Sequence, residues 1–403
     1  MQTAQIGERT AGTGQSQPPV PAMPKMPPRA TAGWRVWASR SPVASGDGIG
    51  YTGGMATFLL YGAAGYTGEL IAREAVRRGL RPILAGRNAD STRRLADALG
   101  LETRIFALDD AAAVDAGLAG MACVLHCAGP FAHTSQPMAD GCLRTRVHYL
   151  DITGEVGVFE SLAARSAAAQ TAGVMLLPGV GFDVVPSDCL AAHLAQRLPG
   201  TTHLALGFEA VGRVSRGTAT TMVENLGGGG AVRRSGKLTA VPAAWQTRTI
   251  DFGRGPTRAF TIPWGDVSTA YHSTRIPNIE VYIAASLGRL LAARMSRYLG
   301  GVLGSGPVQR FLKYRIRSGP PGPTDAERAA GKMYLWGEAR DDAGKQVVSR
   351  LAGPEGYTFT MLTALAVVER VLAGQAPPGF QTPSTAYGAD FVLSIGGLQW
   401  QDE

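Results

Sequence analysis

The sequence predicts a doubly wound α/β fold, a parallel sheet covered by helices on both faces, with an inserted α+β domain. From Thr57 to about residue 200, apolar runs of strand length alternate with helical patterns, and such alternation is typical of a parallel sheet. Near Thr202 the alternation gives way to period-two segments, which indicate an antiparallel sheet in a second domain. A long helical pattern at 357–372 then suggests that the chain returns to the first domain.

The predicted boundaries divide the chain into four segments. Residues 1–54 hold seven prolines and only two acids, Glu8 and Asp47, which is the composition of a disordered tail. Met55 stands two residues before the first predicted strand, so the tail is interpreted either as disordered or as an extension ahead of the natural start. The folded segments are a nucleotide-binding domain at 55–200, an inserted α+β domain for substrate or dimerisation at 201–340, and a C-terminal segment at 341–403 that packs back on the first domain.

Composition and charge narrow the class of protein. With 45% hydrophobic and 17% charged residues among 403, the chain has an ordinary globular composition. Its four cysteines lack paired CxxC spacing, so the sequence predicts neither a metal centre nor a disulfide framework, and a reducing, cytoplasmic compartment fits. The formal charge of +8 favours anionic partners such as phosphates or membrane lipids, whereas the lack of a recognition motif argues against nucleic acid.

A glycine-rich turn follows the first predicted strand. Phe58–Tyr61 is an apolar run of strand length, and Gly62, Gly65 and Gly68 separate it from a helical pattern that ends near Arg78. In a dinucleotide site the first glycine allows the tight turn, the second lets backbone N–H groups approach the pyrophosphate, and the third lets helix and strand pack closely. This order predicts a Rossmann-type domain whose cofactor contacts include Gly62, Ala64, Gly65, Tyr66, Thr67 and Gly68.

The end of the second predicted strand decides the predicted cofactor. Gly86, Arg87 and Asn88 lie about 25 residues after Gly62, where an NAD site places an acid for the ribose 2′-hydroxyl. No acid stands there. Arg87 can stack on the adenine and pair with a 2′-phosphate, and Asn88 can add a donor. The sequence therefore predicts NADP(H), with Gly86, Arg87 and Asn88 as contacts.

Later strand ends supply further predicted contacts. Asp109 follows the third predicted strand and can either accept a hydrogen bond from the adenine amine or cap a helix. Ala128, Gly129 and Pro130 follow the fourth and would bring backbone close to the nicotinamide half of the cofactor. All four are predicted cofactor-binding residues.

Polar side chains at strand ends and in the second domain are candidates for proton transfer. Tyr149 and Asp151 close the fifth predicted strand, and Asp183 lies in a loop rich in glycine and proline. His272 belongs to the second domain, and histidine is the residue type most often used for proton transfer near neutral pH. The predicted catalytic residues are Asp151, Asp183 and His272, with structural roles as the alternatives for Asp183 and His272. Asp188 is interpreted as a cap of the helix that follows it.

Residues 285–317 combine cations with large apolar side chains. No acid occurs from Val281 to Pro323, a stretch with seven Arg or Lys residues. The charges make the segment too polar to span a bilayer and predict a pair of basic amphipathic helices. Two interpretations stay open: peripheral contact with the inner face of an anionic membrane, or a face that covers the second domain or forms a homodimer.

Eight short motifs cover nearly all of the chain from Met55 onward. They are GAAGYTG at 62–68, AGRN at 85–88, CAGPF at 127–131, YLDITGE at 149–155, GFDVVPSD at 181–188, SRGTA at 215–219, GPEGY at 353–357 and TPSTAYG at 382–388. Together they resemble the saccharopine dehydrogenase family of NADP-binding oxidoreductases, and more closely a bacterial branch similar to trans-acting enoyl reductases and saccharopine dehydrogenase-like oxidoreductases. The resemblance implies a Rossmann domain, an inserted substrate domain and hydride transfer with NADPH.

The leading hypothesis is an NADPH-dependent oxidoreductase that transfers a hydride to a C=C, C=O or C=N bond of an apolar small molecule, such as a lipid or polyketide intermediate. The resemblance does not identify the substrate, because members of the family differ in it. Two alternatives stay open. One is a non-catalytic NADPH-binding redox sensor or membrane-associated scaffold, and the other is an amino-acid dehydrogenase of the saccharopine type.

Overall fold

The computed structural model describes residues 57–224 and 228–403. The predicted extension at 1–54 and the predicted start at Met55 lie outside the described residues. Both predicted sheets are present in the described part of the chain.

The described residues form a first sheet of seven parallel strands. These are β1 (Phe58–Tyr61), β2 (Ile83–Gly86), β3 (Thr103–Ile105), β4 (Cys123–His126), β5 (His148–Asp151), β6 (Met175–Leu177) and β15 (Gly379–Phe380). Their spatial order, β15-β6-β5-β4-β1-β2-β3, reverses direction between β1 and β4. Doubly wound sheets bind ligands beyond the carboxyl ends of the strands at such a switch point. The predicted Rossmann-type fold is confirmed.

Helices cover both faces of this sheet, which explains its apolar strands. Leu59, Leu60 and Leu84 are fully buried, as expected for strands with no solvent-facing side. The helices between the strands are α1 (Tyr66–Arg77), α2 (Ala89–Leu99), α3 (Ala111–Leu118), α4 (Phe131–Thr145), α5 (Val156–Ala163), α6 (Ser166–Ala172) and α7 (Val185–Arg197). Two of these helices, α5 and α6, follow each other directly between β5 and β6.

A second, nine-stranded sheet follows α7 among the described residues. Its strands are β7 (His203–Val211), β8 (Gly230–Arg234), β9 (Lys237–Val241), β10 (Thr247–Asp251), β11 (Pro256–Thr261), β12 (Asn278–Ala284), β13 (Lys332–Arg340), β14 (Gln346–Pro354) and β16 (Gln401–Asp402). The prediction of a purely antiparallel sheet is wrong at one pair, because β7 and β12 run parallel. About seventy residues separate them, enough for the crossover that a parallel pair needs.

The remaining helices flank the second sheet or return to the first. They are α8 (Arg216–Glu224), α9 (Asp266–Thr274), α10 (Leu287–Leu303), α11 (Gly306–Arg317), α12 (Asp325–Ala330), α13 (Gly356–Leu372), α14 (Pro383–Tyr387) and a 3-10 helix at Ala389–Ser394. Among the described residues, no helix is both long and apolar enough to cross a bilayer.

Helix α7 and the C-terminal segment join the two sheets. A Cβ atom on Gly337 of β13 would lie 2.6 Å from a side-chain methyl of Leu194 on α7, so β13 and α7 approach closely at this point. The chain returns to the first sheet through α13, which packs on α1, and through β15 beside β6. Since β14 belongs to the second sheet, the structure places this return after residue 354, whereas the predicted segment began at 341.

Candidate functional site

The glycine turn brings β1, β4 and α1 into close contact at the switch point. Gly62 has a φ of 80°, and a Cβ there would lie 2.8 Å from the backbone nitrogen of Ala128, at the end of β4. A Cβ on Gly68 would lie 2.4 Å from the Gly62 carbonyl oxygen. Both positions therefore require glycine for steric reasons, in agreement with the predicted turn and the predicted strand–helix contact.

The amino end of α1 differs from those of the neighbouring helices. The Asn88 side chain accepts from Ser91 N (3.0 Å) at the start of α2, and Asp110 accepts from Ala112 N (2.9 Å) at the start of α3. Helix α1 has Gly65 at its N-cap and no side-chain cap, and both Ala64 and Gly65 are exposed. Its first N–H groups and its positive dipole end are thus available to an anion, which fits the pyrophosphate of a dinucleotide.

The predicted NADP contacts at the next strand ends lie at the same edge of the sheet. Arg87 directly follows β2 and is exposed, and its guanidinium has no hydrogen-bond or ion-pair partner among the described residues. Asn88 uses its carbonyl oxygen to cap α2, which leaves its amide N–H groups as donors. Asp109 is exposed, and the cap of α3 is Asp110, so capping does not occupy Asp109. Pro130 follows a cis peptide bond from Gly129, just beyond β4.

Asp151 is fully buried at the end of β5, and all its bonds are within the protein. Its carboxylate accepts from Thr153 N and Gly179 N, both at 2.9 Å, and from the Tyr149 hydroxyl at 2.6 Å. Burial raises the pKa of Asp151 to about 6, although these hydrogen bonds oppose the shift. This arrangement fixes the loop after β6 to the end of β5.

Asp183 lies in that same loop, but its carboxyl group differs from that of Asp151 in burial and in hydrogen bonding. It is half-buried and has no hydrogen-bond partner among the described residues. Its side chain packs on Gly154, where a Cβ would lie 3.0 Å from Asp183 Oδ2. Burial, and secondarily the charge of Glu155, raises the pKa of Asp183 to about 7. A carboxyl group that titrates near neutral pH at a strand end can act as a general acid.

Glu155 is outside the predicted set of site residues, and it connects its own loop, after β5, to the start of α4. Its carboxylate oxygens accept from Phe131 N (2.8 Å) and Ala132 N (2.9 Å), and so it caps α4 from another segment. Burial raises the pKa of Glu155, and these two donors oppose that shift. Its charge is thereby held beside Asp183. The YLDITGE motif contains this residue, but sequence spacing does not show that it reaches α4.

Aromatic side chains from both sheets surround the Asp183 loop. Trp264 donates its indole N–H to the Asp183 carbonyl oxygen (2.7 Å), and the Phe208 ring lies 4.8 Å from that of Trp264 and 6.0 Å from that of Phe182. Burial raises the pKa of Tyr357, and the charge of Asp183 adds to the shift. These contacts give the loop an apolar wall next to its carboxyl group.

Tyr357 connects the second domain to the glycine turn. Its hydroxyl accepts from Ser215 N (2.6 Å) and lies 3.0 Å from Thr218 Oγ1. Its ring meets that of Tyr66, in the first turn of α1, edge-on at 5.1 Å. The predicted set contains Tyr66 but not Tyr357, whose signal was the GPEGY motif at 353–357.

His272 does not lie with the other predicted catalytic residues. It is on α9, with Nε2 3.8 Å from Glu160 Oε1 and its ring 5.0 Å from that of Phe380. Gly265, at the start of α9, lies against Gly154, and seven residues of helix then separate it from His272, a rise of about 10 Å. The structure therefore brings Asp151 and Asp183 together and leaves His272 in a packing position beside α5.

Asp188 does not cap the helix that follows it, so that interpretation is wrong. Helix α7 begins at Val185, before Asp188, and has no side-chain cap. The buried Asp188 carboxylate instead accepts from Ser384 N (2.8 Å) and so holds the start of α14 on α7. Within residues 57–224 and 228–403, no group of three or more His, Cys, Asp or Glu residues is placed to bind a metal ion.

The fold and the carboxyl edge of the first sheet define a dinucleotide-binding protein of the Rossmann class. Comparison with known proteins then identifies the family of the first domain. Residues 58–177 match the family described as Saccharopine dehydrogenase NADP binding domain. These residues therefore form an NADP-binding domain of the saccharopine dehydrogenase family, and the predicted cofactor, NADP(H), is confirmed. The family description includes NADP binding, and the relatives below have the names of reductases and oxidoreductases, so the findings point to the predicted class, an NADP-dependent oxidoreductase.

Relatives of known name match the chain over part of its length. A trans-acting enoyl reductase of Mycobacterium leprae is 32% identical over 148 residues, which are 35% of this chain and 35% of that protein. A putative trans-acting enoyl reductase of Mycobacterium tuberculosis is 30% identical over 42% of this chain and 43% of its own length. The human saccharopine dehydrogenase-like oxidoreductase is 25% identical over 36% of this chain and 38% of its length. The chain thus spans less than half of each of these relatives.

One solved structure resembles most of the chain. The saccharopine dehydrogenase (L-Glu forming) of Saccharomyces cerevisiae aligns over 86% of this chain and all of its own, with a TM-score of 0.62 and 12% identity. At this identity the likeness concerns the fold. It supports the arrangement of a Rossmann domain with a second, sheet-containing domain.

Proposed function

We propose that the protein is an NADPH-dependent reductase in which Asp183 donates the proton. NADPH, when bound, supplies the hydride for a C=C, C=O or C=N bond. The α1 N-terminus binds the pyrophosphate and Arg87 binds the 2′-phosphate. The observation that carries the proposal is the half-buried Asp183 carboxyl group, which has a pKa near 7 and no hydrogen-bond partner among the described residues.

The residues around Asp183 would each have a defined part in proton transfer. The protonated carboxyl group gives its proton to the substrate atom that gains negative charge, and the resulting carboxylate regains a proton from solvent. Burial, and secondarily the charge of Glu155, keeps the pKa of Asp183 close to neutrality. Asp151 holds the loop in place through Gly179, and so it acts as a positioning residue in this proposal.

The aromatic wall supports an apolar substrate. Phe182, Phe208 and Trp264 pack beside Asp183, and rings in this position favour hydrocarbon over charged groups. We therefore propose a lipid or polyketide-like substrate. Two named relatives are enoyl reductases, which makes a C=C bond in an acyl chain the first to test.

Titration of NADPH followed by a turnover assay tests the proposal. NADPH fluorescence measures binding, and NADPH absorbance then follows oxidation with enoyl, keto and imino compounds of increasing chain length. We expect turnover that improves with chain length. Tight NADPH binding without turnover on any compound would instead support the redox sensor, and turnover confined to an amino-acid-derived imine would support a saccharopine-type dehydrogenase.

A further inference from the structure

Helix α10 presents a continuous apolar face to solvent. We call this face the α10 stripe, and it consists of Leu287, Leu291, Met295, Tyr298, Leu299 and Val302. At 3.6 residues per turn these positions fall within an arc of roughly 120°. Tyr298 is 82% exposed, and Phe311 and Tyr314 on α11 are 62% and 68% exposed. So many large exposed side chains on one face indicate an interaction surface.

Packing against the second domain fixes the outward direction of the stripe. On the opposite face of α10, Leu290 is 4% exposed and joins a core cluster with Ala244 and Phe260. The Arg297 guanidinium donates to the carbonyl oxygens of Ala243 (2.5 Å) and Ala244 (2.6 Å). The helix is therefore held by one face, and none of the described residues covers the other face.

Helix α11 is anchored in the same way. Lys313 Nζ donates to Glu224 Oε1 (2.6 Å) on α8, and Gln309 donates to the Val223 carbonyl oxygen (2.8 Å). Phe311 and Tyr314 lie on the exposed side of α11. Both helices thus present apolar rings and chains outward while polar side chains attach them to the domain.

The charges around this surface have one sign. No acid occurs from Val281 to Pro323. Within the described part of the chain, five arginine side chains of the two helices have no hydrogen-bond or ion-pair partner: Arg289, Arg294, Arg310, Arg315 and Arg317. A second copy of the chain docked on this face would place arginines opposite arginines, which is unfavourable. An anionic surface would instead be attracted to them.

We propose that α10 and α11 lie flat on an anionic lipid surface. The α10 stripe and the two α11 rings would enter the boundary between head groups and acyl chains, and the free arginines would pair with lipid phosphates, as in interfacial amphipathic helices. This proposal does not depend on the proposed reductase activity.

Vesicle co-sedimentation of the full chain tests the proposal. We expect binding to phosphatidylcholine vesicles that contain about one third phosphatidylglycerol, weak binding to phosphatidylcholine alone, and loss of binding as salt is raised. The triple substitution Leu291→Ser, Met295→Ser and Tyr298→Ser should reduce the partition coefficient at least about tenfold, because it removes the inserted apolar area. NADPH titration of the same variant checks that it is folded.

Charge variants separate the electrostatic part of the proposal from the apolar part. Arg294→Gln and Arg315→Gln should each reduce partitioning about fivefold, since one cation near an anionic leaflet contributes about that factor. Arg93→Gln, an exposed arginine on α2, is the matched control and should have no effect. Equal binding to neutral and anionic vesicles, no binding at low salt, or a wild-type result for the triple variant would each overturn the proposal. So would a dimer in analytical ultracentrifugation that the triple substitution dissociates, because a second copy would then occupy the face.

Discussion

Two sets of polar groups share the carboxyl edge of the first sheet and differ in where their hydrogen bonds go. In the closed set, Asn88 and Asp110 cap helices and Asp151 accepts three bonds from its own domain. In the open set, the α1 N-terminus has no side-chain cap, and the side chains of Arg87 and Asp183 have no hydrogen-bond or ion-pair partners among the described residues. Proteins satisfy buried polar groups internally and leave exposed ones to water, so the open groups at this edge are the ones that a ligand can bind in place of water.

Among the groups compared, substitution of Asp183 should have the largest effect, and that effect should be on turnover. Asp183→Asn should lower kcat by about 10² to 10⁴, since the general acid is lost. The free energy of unfolding should change by less than about 1 kcal/mol, because the carboxyl group makes no internal bond that stabilises the fold. NADPH oxidation and urea denaturation measure the two quantities. A variant that kept wild-type turnover on a good substrate would remove Asp183 from the mechanism.

Arg87, the other open side chain, should affect binding and leave stability unchanged. Arg87→Asp should raise the Kd for NADPH about 10- to 100-fold, because charge-assisted bonds to the 2′-phosphate are lost, while NADH binding changes little. Fluorescence titration with both cofactors measures this. The matched closed position is Asp110→Ala, which should cost about 1 kcal/mol of stability through loss of the α3 cap and leave both Kd values unchanged. Equal weakening of NADPH and NADH by Arg87→Asp would contradict the assignment.

Asp151 belongs to the closed set, so its substitution should lower the stability of the fold, whereas substitution of Asp183 should leave stability nearly unchanged. Asp151→Asn keeps an acceptor for Thr153 N and Gly179 N but places an amide donor opposite the Tyr149 hydroxyl, so we expect a loss of about 1–3 kcal/mol in unfolding free energy. Tyr149→Phe removes the other partner, and in the double variant the two losses should not add. Urea denaturation of the three variants measures this coupling. Additive losses would mean that the Tyr149–Asp151 bond contributes little.

His126 tests whether lack of a partner is enough to define a ligand position. Its ring is fully buried among Tyr61, Phe131 and Tyr149, both its nitrogens lack partners among the described residues, and burial lowers its pKa to about 3. The unfolded chain binds the proton more tightly, so stability should fall as pH drops from 6.5 towards 3, by about 1.4 kcal/mol per pH unit.

His126→Phe should therefore lose less stability than the wild type between pH 6.5 and pH 4, as measured by urea denaturation at several pH values. NADPH binding at neutral pH should not change, because the ring is inaccessible. Weaker NADPH binding would place His126 with the open set. Unchanged NADPH binding, the expected result, would mean that the open set includes only groups that a ligand can reach.

The smallest expected effect concerns the charge beside Asp183. The protonated carboxyl group is the active form, so kcat should fall as pH rises above about 7. Glu155→Gln removes a charge that raises the pKa of Asp183, and the falling limb should move to lower pH by less than about one unit. Glu102→Gln, at an exposed position before β3, is the control and should leave the profile in place. An unshifted profile in Glu155→Gln would show that burial alone sets the pKa of Asp183.

Much of the fold and of the cofactor site was predictable because its signals are local in the chain. The β1 run, the three glycines and Arg87 all lie within thirty residues, and their order is sufficient to indicate a dinucleotide site. Sheet direction in the second domain was less predictable, because period-two strands have the same pattern in parallel and antiparallel pairs. The β7–β12 pair therefore needed the structure.

The roles of the acidic residues were also not predictable from local sequence. Asp151 ends a strand, and Asp183 and Asp188 follow one in a stretch rich in glycine and proline. Nothing in the local sequence of the three distinguishes a free carboxylate from a bonded one. The difference lies in distant partners: Gly179 for Asp151, and Ser384, 196 residues away, for Asp188. His272 was predicted from its residue type alone, and helix α9 places it away from the edge.

By itself, the sequence determined the Rossmann-type domain, the NADP preference and the basic amphipathic segment, since each depends on residue types at fixed short spacing. Only the tertiary structure decided which groups at the carboxyl edge are free and which face of α10 points outward. Those properties depend on hydrogen bonds and packing between segments that are separated in the chain, by 54 residues for Arg297 with Ala243 and by 142 for Tyr357 with Ser215. A periodic pattern shows that one face of a helix is apolar. Only the packing of the folded chain determines whether that face is covered or exposed.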